Sequence, residues 1–410
     1  MSGKIAIVGA GPSGCYLAQA LLKKAPDLQV DLIDQLPVPY GLVRYGVAAD
    51  HQGTKGVARQ FARVFERQGA RFFGNVAIGR DVTLDDLRAA YDAVVLAAGL
   101  STDRRLAVPG DDLPGVYGAG RLTRALFEHP DAEELPDLGA HPVIVGNGNV
   151  AIDLLRLLAK APEELDGSDL GDGPSRWLAQ SGIETITITG RSPAARAKFD
   201  AVMVKELAKL SDVRIEVVGA GDSDDPVELK TLEALTAIHG HGGGAKRIIF
   251  RFGLTPKAVE GEGQVQAVRF DTESGEEVIP CTSVLTAIGF EAAPGLPRDA
   301  LVAEAADAEA GRLAPGLFAA GWFRRGPRGT IPENRADAQA LASVILDDFS
   351  ADPARMGGQV FDGLDNIVDY SGWSRIDAAE TGAAPEGRCR TKLATRETML
   401  GVAGARETTK

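Results

Sequence analysis

Short apolar runs alternate with amphipathic stretches along the chain, and the alternation begins almost at once. Lys4–Val8 (KIAIV) is continuously apolar after its first residue, the pattern of a strand covered on both faces in a parallel sheet. A glycine-rich turn follows. Cys15–Lys24 (CYLAQALLKK) then reads as a helix, and Val30–Asp34 (VDLID) as the next strand. The same order recurs with His141–Val145 (HPVIV), Ile152–Lys160 (IDLLRLLAK) and Ile183–Thr189 (IETITIT); the second of these keeps its apolar residues on one helical face. Ala93–Gly99, Ser283–Gly289 and Gly316–Gly321 are further apolar runs ending in small residues and glycine, and read as closing strands. A helix is expected from about Glu333 to Phe349. Lys246–Phe252 and Val265–Phe270 are expected to pair as antiparallel strands. The repeated strand–turn–helix–strand order predicts an α/β fold with two Rossmann-like dinucleotide-binding domains.

The two turns carry the chemistry. The first is Gly9-Ala10-Gly11-Pro12-Ser13-Gly14, a GxGxxG. Gly9 allows the tight turn, Gly11 lets a pyrophosphate approach the backbone, and Gly14 lets the helix sit close to the strand. The free N–H groups of the helix N-terminus face the phosphates. Asp34, at the end of the next strand, can accept hydrogen bonds from ribose hydroxyls and repels a 2′-phosphate. A lone glycine-rich turn would be weak evidence for a ligand, but here strand, helix and terminal acid accompany it. The second turn is Gly146-Asn147-Gly148-Asn149-Val150-Ala151, a GxGxxA, and its following strand ends in Gly190-Arg191 without an acid. A guanidinium there can pair with a 2′-phosphate. The contrast points to FAD at the first turn and NADP(H) at the second, with NAD the alternative if Arg191 is only a solvated strand end. The glycine-ended strand leading to Gly99 would bring backbone near a ligand, or is simply a buried strand. A helix starting at Pro332 or Glu333 would aim its N-terminus at whatever lies beyond Gly316–Gly321.

Composition narrows the class. The 410 residues carry 44 Lys+Arg against 57 Asp+Glu, a net charge of −13, which argues against a general nucleic-acid binder. The three cysteines, Cys15, Cys281 and Cys389, are far apart. They offer neither a dithiol nor the ligands of a zinc or iron–sulfur site, and no disulfide framework, as in a reducing cytoplasm. The missing dithiol excludes disulfide-reductase chemistry. No apolar stretch is long enough for a membrane span, and a strand beginning at Lys4 leaves no room for a signal peptide; a cytoplasmic location is therefore expected. The His239–Gly244 segment (HGHGGG) has too few ligands for a metal site, and none is expected elsewhere.

The segments IAIVGAGPSGCYLAQALLK, LPVPYGLVRYGVAADHQGTK, FFGNVAIGRDVTLDDL, YDAVVLAAG, VIVGNGNVAIDLLRLL, FRFGLTPKAV and AGWFRRGPRG, with the tail from Trp373 to Ala403, resemble the adrenodoxin-reductase type of ferredoxin–NADP reductase. PYGLVRYGVAADH is the most specific of them, because generic dinucleotide binders lack it. The resemblance covers most of the chain. It implies a discontinuous FAD domain (1–102 and 291–410) with an NADP domain (103–290) inserted, and electron flow from NADPH through FAD to an iron–sulfur protein. It implies FAD contacts at Ser13, Asp34, Gly41, Leu42, Val76, Trp322 and the Gly329-Thr330-Ile331 turn, and NADP pyrophosphate contacts at Asn147-Gly148-Asn149-Val150. It also implies that His51 and Glu206 position groups during electron and proton transfer. The departures matter. Ser192 stands where the family has a second arginine after Arg191, and Arg196 or Lys198 is available to replace it. Anchoring the alignment on Phe199 instead of the KEL run would move the partner acid from Glu206 to Met203.

An acidic ferredoxin would need a local basic patch on this acidic chain. Arg191, Arg196, Lys198, Lys205 and Lys209 form one cluster, and Arg324, Arg325 and Arg328 another; both are expected at the cleft between domains. The same charges could instead solvate helices or bind nucleotide phosphates. Two other functions remain open: a diaphorase or oxidase that reduces a quinone, oxygen or a biosynthetic substrate, and a non-enzymatic nucleotide sensor that keeps FAD for structure.

Overall fold

The computed structural model describes residues 3–293 and 295–404; positions 1–2 and 405–410, at the outer ends of the expected FAD-binding segments, and Pro294 lie outside it. Two six-stranded sheets organise the chain. In the first, the spatial order is Arg312–Ala314, Leu317–Ala319, Ala93–Leu96, Lys4–Val8, Gln29–Asp34 and Arg71–Gly74. All its pairings are parallel except that of the first two strands. The second sheet is wholly parallel, in the order Val116–Gly118, Ser283–Thr286, Pro142–Val145, Thr185–Gly190, Lys246–Phe252 and Val213–Val218. The second sheet is thus inserted in sequence between strands of the first. The chain leaves and returns through a small antiparallel pair, Thr102–Asp103 against Phe290–Glu291.

The continuous apolar runs have a simple cause. Ile5 and Ile7 enter the core on one face of the first sheet, beside Leu17 and Leu21 of the first helix. Ala6 and Val8 enter the core on the other face, beside Val94, Leu96 and Phe323. In the second sheet Ile144 faces one core, and Val143 and Val145 the other. Each fully buried Ile, Val or Leu contributes about 1.5–3 kcal/mol, so both faces must stay apolar and strand alternation disappears. No described helix is long and apolar enough to cross a membrane.

Two expectations need correction. Lys246–Phe252 does not pair antiparallel with Val265–Phe270; it lies parallel between Thr185–Gly190 and Val213–Val218, inside the second sheet. Its buried Ile248 and Phe250 demand that central position. The antiparallel insert is a separate three-stranded sheet of Thr255–Glu260, Ala267–Thr272 and Gly275–Pro280. The helix expected near Glu333 runs from Ile331 to Asp347, because Thr330 caps it and the Glu333 side chain closes the capping box.

Long-range ion pairs tie the C-terminal tail to both sheets. Glu380 is fully buried and takes Arg44, Arg390 at 2.7 Å and the Leu393 N–H at 2.9 Å. Asp169, which follows the helix of the second turn, takes Lys55 at 2.6 Å and Lys392 at 3.1 Å. Burial, and then the nearby Lys392 charge, pulls the Lys55 ammonium down to about 8. The tail also donates from Cys389 N–H to the Ser168 carbonyl at 3.0 Å. Replacing Glu380 by Gln keeps the shape and strands the buried Arg44 guanidinium, while the half-buried Arg390 keeps Asp377 at 2.7 Å. Glu380→Gln is expected to lower stability by about 3–5 kcal/mol, read as a lower denaturation midpoint; a midpoint within experimental error of the parent would refute a structural role for this cluster.

Candidate functional site

The first turn is built by close backbone packing on one side and openness on the other. Gly9 has a φ of 110°, and a Cβ there would lie 2.4 Å from the Ala97 carbonyl oxygen; one at Gly14 would lie 2.0 Å from the Gly9 carbonyl oxygen. Neither position tolerates a side chain. Gly11 is different: a Cβ there would meet only the Gly41 Cα, at 3.9 Å. The loop after the second strand is held over it by the Tyr40 N–H, which donates to the Ala10 carbonyl at 2.8 Å. Gly41, with a φ of 46°, turns the chain there and leaves the Leu42 side chain exposed.

Asp34 accepts the Ala10 N–H at 2.9 Å and the Leu36 N–H at 3.0 Å. Burial raises its carboxyl to about 6 against those two donors and the Arg396 guanidinium. A cleft runs past it, lined by Gly9, Asp34, Val76, Gly99 and Phe323. The structure therefore brings Gly9, Asp34, Val76 and Gly99 to one concave surface.

The far end of that side is closed by the segment after Leu317–Ala319. Trp322 stacks on Phe290 with ring centroids 6.1 Å apart, and its Nε1–H donates to the Gly329 carbonyl at 3.1 Å. The helix Ile331–Asp347 begins next to the first helix: Ser13 Oγ donates to Asn334 Oδ1 at 3.2 Å. Two helix N-termini thus meet, which concentrates N–H donors and partial positive charge there. Arg325 donates to the same Asn334 oxygen at 2.6 Å, and Arg324 is bound to Asp337. These two arginines help to hold the helix in place, and Arg328 is exposed.

The second turn repeats the first. A Cβ at Gly146 would lie 2.2 Å from the Ala287 carbonyl oxygen, whereas nothing lies within 4 Å of one at Gly148, the residue that caps the helix Asn149–Ala159. Asn147 is buried and its Nδ2 finds no partner among the described residues. An orphaned donor beside an open glycine and a helix N-terminus is what an anionic group of a dinucleotide would satisfy. Val150 follows in the first turn of that helix. Asn149 Oδ1 accepts the Asp200 N–H at 2.7 Å, which folds the 191–200 segment over the turn. Arg191 is exposed and Ser192 half-buried. Arg196 pairs with Glu228 at 2.6 Å, whereas Lys198 forms no ion pair with the described residues.

His51 and Glu206 come together although they are distant in sequence. His51 Nε2 lies 3.3 Å from Glu206 Oε2. Its Nδ1 lies 3.5 Å from Asp153 Oδ1, on the helix of the second turn. Met203, the other position for the partner acid, carries no acid, and it packs against the core. Asp153 escaped sequence reading, because one acid in an amphipathic helix gives no signal of what it faces. So did the clamp beside it: Asp50 accepts from Arg156 at 3.0 Å through one contact and pairs with Lys160 at 2.6 Å. These cations hold the Asp50 carboxyl well below its usual range despite its burial.

Known proteins place this arrangement in context. Residues 3–222 match the model of the pyridine nucleotide-disulphide oxidoreductase family. Cindoxin reductase of Citrobacter braakii is 42% identical over 97% of this chain and 91% of its own length. The NADPH-ferredoxin reductase FprA of Mycobacterium tuberculosis is 34% identical over 97% of this chain and 98% of its own length. A solved structure of that FprA in complex with NADPH superposes with a TM-score of 0.88 at 31% identity, covering 98% of this chain and 100% of the other. Thioredoxin reductase of Lactococcus lactis shares the fold, with a TM-score of 0.51 at 15% identity over 85% of this chain and 99% of its own.

Asp34 gives a pH prediction for the first turn. Ribose hydroxyls donate to a carboxylate, and in the FAD-free protein that carboxylate is lost as pH falls through about 6. FAD affinity of the apoprotein is expected to fall below pH 6, by up to about tenfold per pH unit. Asp34→Asn should flatten the profile. Fluorescence titration of FAD across pH 4.5–8 checks this, and a flat profile in the parent protein would refute it.

Proposed function

Because the chain belongs to the pyridine nucleotide-disulphide oxidoreductase family and is an FAD-dependent reductase of the ferredoxin–NADP reductase type, we propose that it moves electrons from NADPH to a ferredoxin-type iron–sulfur protein. The observation that supports this reading most is the pair of similar turns with opposite charge at their rims: Asp34 at the first, Arg191 at the second. FAD, when bound, supplies the change from two-electron to one-electron chemistry.

The chain's own residues then have separate tasks. Gly9, Gly11, Ser13 and Gly14 shape the cradle for the FAD pyrophosphate, and Asp34 takes the ribose hydroxyls. Val76 and Leu42 give apolar cover, and Gly41 and Gly99 let backbone come close. Trp322 and the Gly329-Thr330-Ile331 turn border the reacting end, where the helix beginning at Ile331 favours negative charge. Gly146, Asn147, Gly148, Asn149 and Val150 form the cradle for the NADP pyrophosphate, and Arg191 beside Ser192 pairs with the 2′-phosphate. His51 is held at both ring nitrogens between Asp153 and Glu206. Its ring is therefore fixed in orientation, and a proton at either nitrogen has a carboxylate to meet.

The partner would dock where positive and apolar side chains lie together on the acidic chain. Val202 is 68% exposed, unusual for valine, and shares the helix Ala201–Glu206 with Lys205. An exposed apolar side chain on the same helix as a cation fits a small acidic electron carrier. A second reading of the acceptor comes from the relative with higher identity, which is named for cindoxin rather than ferredoxin.

Anaerobic stopped-flow reduction with NADPH and NADH tests the donor side. NADPH is expected to bleach the visible flavin band at lower concentration. Arg191→Ala should weaken NADPH about ten- to a hundredfold, the scale of one charge-assisted contact, and spare NADH. Equal affinities for the two donors would remove the case for NADP. On the acceptor side, ferredoxin-dependent turnover should exceed oxygen- or dye-dependent turnover and fall with rising salt. Lys205→Glu should lower it severalfold; turnover indifferent to both salt and this charge reversal would rule out the docking face.

A further inference from the structure

The segment Arg191–Asp200 is pinned at both ends to the second turn. At its start, Gly190 packs so tightly on Asn147 that a Cβ would lie 2.1 Å from Asn147 Nδ2. At its end, the Asp200 N–H donates to Asn149 Oδ1 at 2.7 Å. Between them, Ala194, Ala195 and Phe199 are buried and anchor the segment in the core. The backbone that carries the cations Arg191, Arg196 and Lys198 is therefore a short segment held to the turn at both ends.

The three are not equivalent. Arg196 Nε is 2.6 Å from Glu228 Oε1. Glu228 is itself held: its other oxygen accepts from Ser223 Oγ at 2.6 Å, and its N–H donates to the Asp225 side chain at 3.1 Å. Arg196 is thus drawn toward the helix Pro226–Ile238. The side chains of Arg191 and Lys198 are exposed and form no ion pair with the described residues. Asp200, the acid nearest Lys198 in sequence, spends its carboxylate capping the next helix at the Val202 N–H, 2.7 Å away.

We propose that Lys198, and not Arg196, supplies the second positive charge for the 2′-phosphate of the dinucleotide, while Glu228 keeps Arg196 away from it. The inference rests on the reading of the second turn as an NADP(H) site. Arg191 offers the planar, two-pronged contact, and Lys198 adds a mobile point charge in place of the arginine that Ser192 replaces. Preference for the phosphorylated dinucleotide then depends on a three-residue arrangement, with Glu228 setting how many cations are available.

Calorimetric titration of the FAD-loaded enzyme with adenosine 2′,5′-bisphosphate and with 5′-AMP isolates this subsite from electron transfer. The ratio of the two affinities is the readout, and the flavin band shows that each variant is folded and loaded. Lys198→Ala is expected to lower the ratio about tenfold, and Lys198→Arg to keep it. Arg196→Ala should leave the ratio unchanged, and Glu228→Gln should raise it severalfold by releasing Arg196. A parent enzyme that prefers the bisphosphate, with a ratio unmoved by Lys198→Ala, would overturn the role of Lys198 alone. A ratio lowered by Arg196→Ala would overturn its sequestration. A parent enzyme without any preference would instead overturn the NADP(H) reading on which the inference stands.

Discussion

Residues 44–55, from the end of the short helix Leu42–Tyr45 through the short helix Gln52–Lys55, form one loop-like segment that both sheets and the tail must agree on. Arg44 is buried against Glu380, Asp50 against Arg156 and Lys160, His51 between Asp153 and Glu206, and Lys55 against Asp169. Every partner comes from an element distant in sequence. A buried charge left without its partner costs several kcal/mol, so the loop holds the first sheet, the helix of the second turn and the tail in one relation. The position of His51 is a product of that agreement. The small strand pair at the crossing could not fix the two sheets by itself, with only Thr102–Asp103 and Phe290–Glu291 to do so.

Around this loop the two dinucleotide turns differ by little in backbone and by much in charge. Both use one glycine packed against a neighbouring carbonyl, Gly9 on Ala97 and Gly146 on Ala287, and one glycine left open, Gly11 and Gly148. The geometry that admits a pyrophosphate is therefore common to both. What separates them is carried by the strand ends, a carboxylate at 34 and a guanidinium at 191. Charge at the rim is thus separable from the fold, and the second rim can change its charges while the turn beneath it stays the same.

The sequence revealed what depends on neighbours a few residues away. The strands at Lys4 and Pro142, the helices after Gly11 and Gly148 and the charges at Asp34 and Arg191 all lie within local patterns. Pairing partners lie outside such patterns. Lys246–Phe252 has the composition of a central parallel strand, but its neighbours, Thr185–Gly190 and Val213–Val218, cannot be inferred from adjacency, which points to the next apolar run instead. Asp153, Asp169 and Glu380 are ordinary helix or loop acids until tertiary structure places His51, Lys55 and Arg44 against them. Only resemblance to a family links His51 with Glu206 in the sequence, since 155 residues separate them.

The order in which the chain is made gives the tail contacts another meaning. Leu317–Ala319 is the strand that completes the interior of the first sheet beside Ala93–Leu96, and Glu380 neutralises Arg44. Both arrive after the entire second sheet has been synthesised. A nascent chain on the ribosome can therefore close its inserted half while its opening half still exposes an apolar sheet edge and an uncompensated guanidinium. Maturation of the amino-terminal half waits for translation to finish, and that interval is when a chaperone would find most to bind.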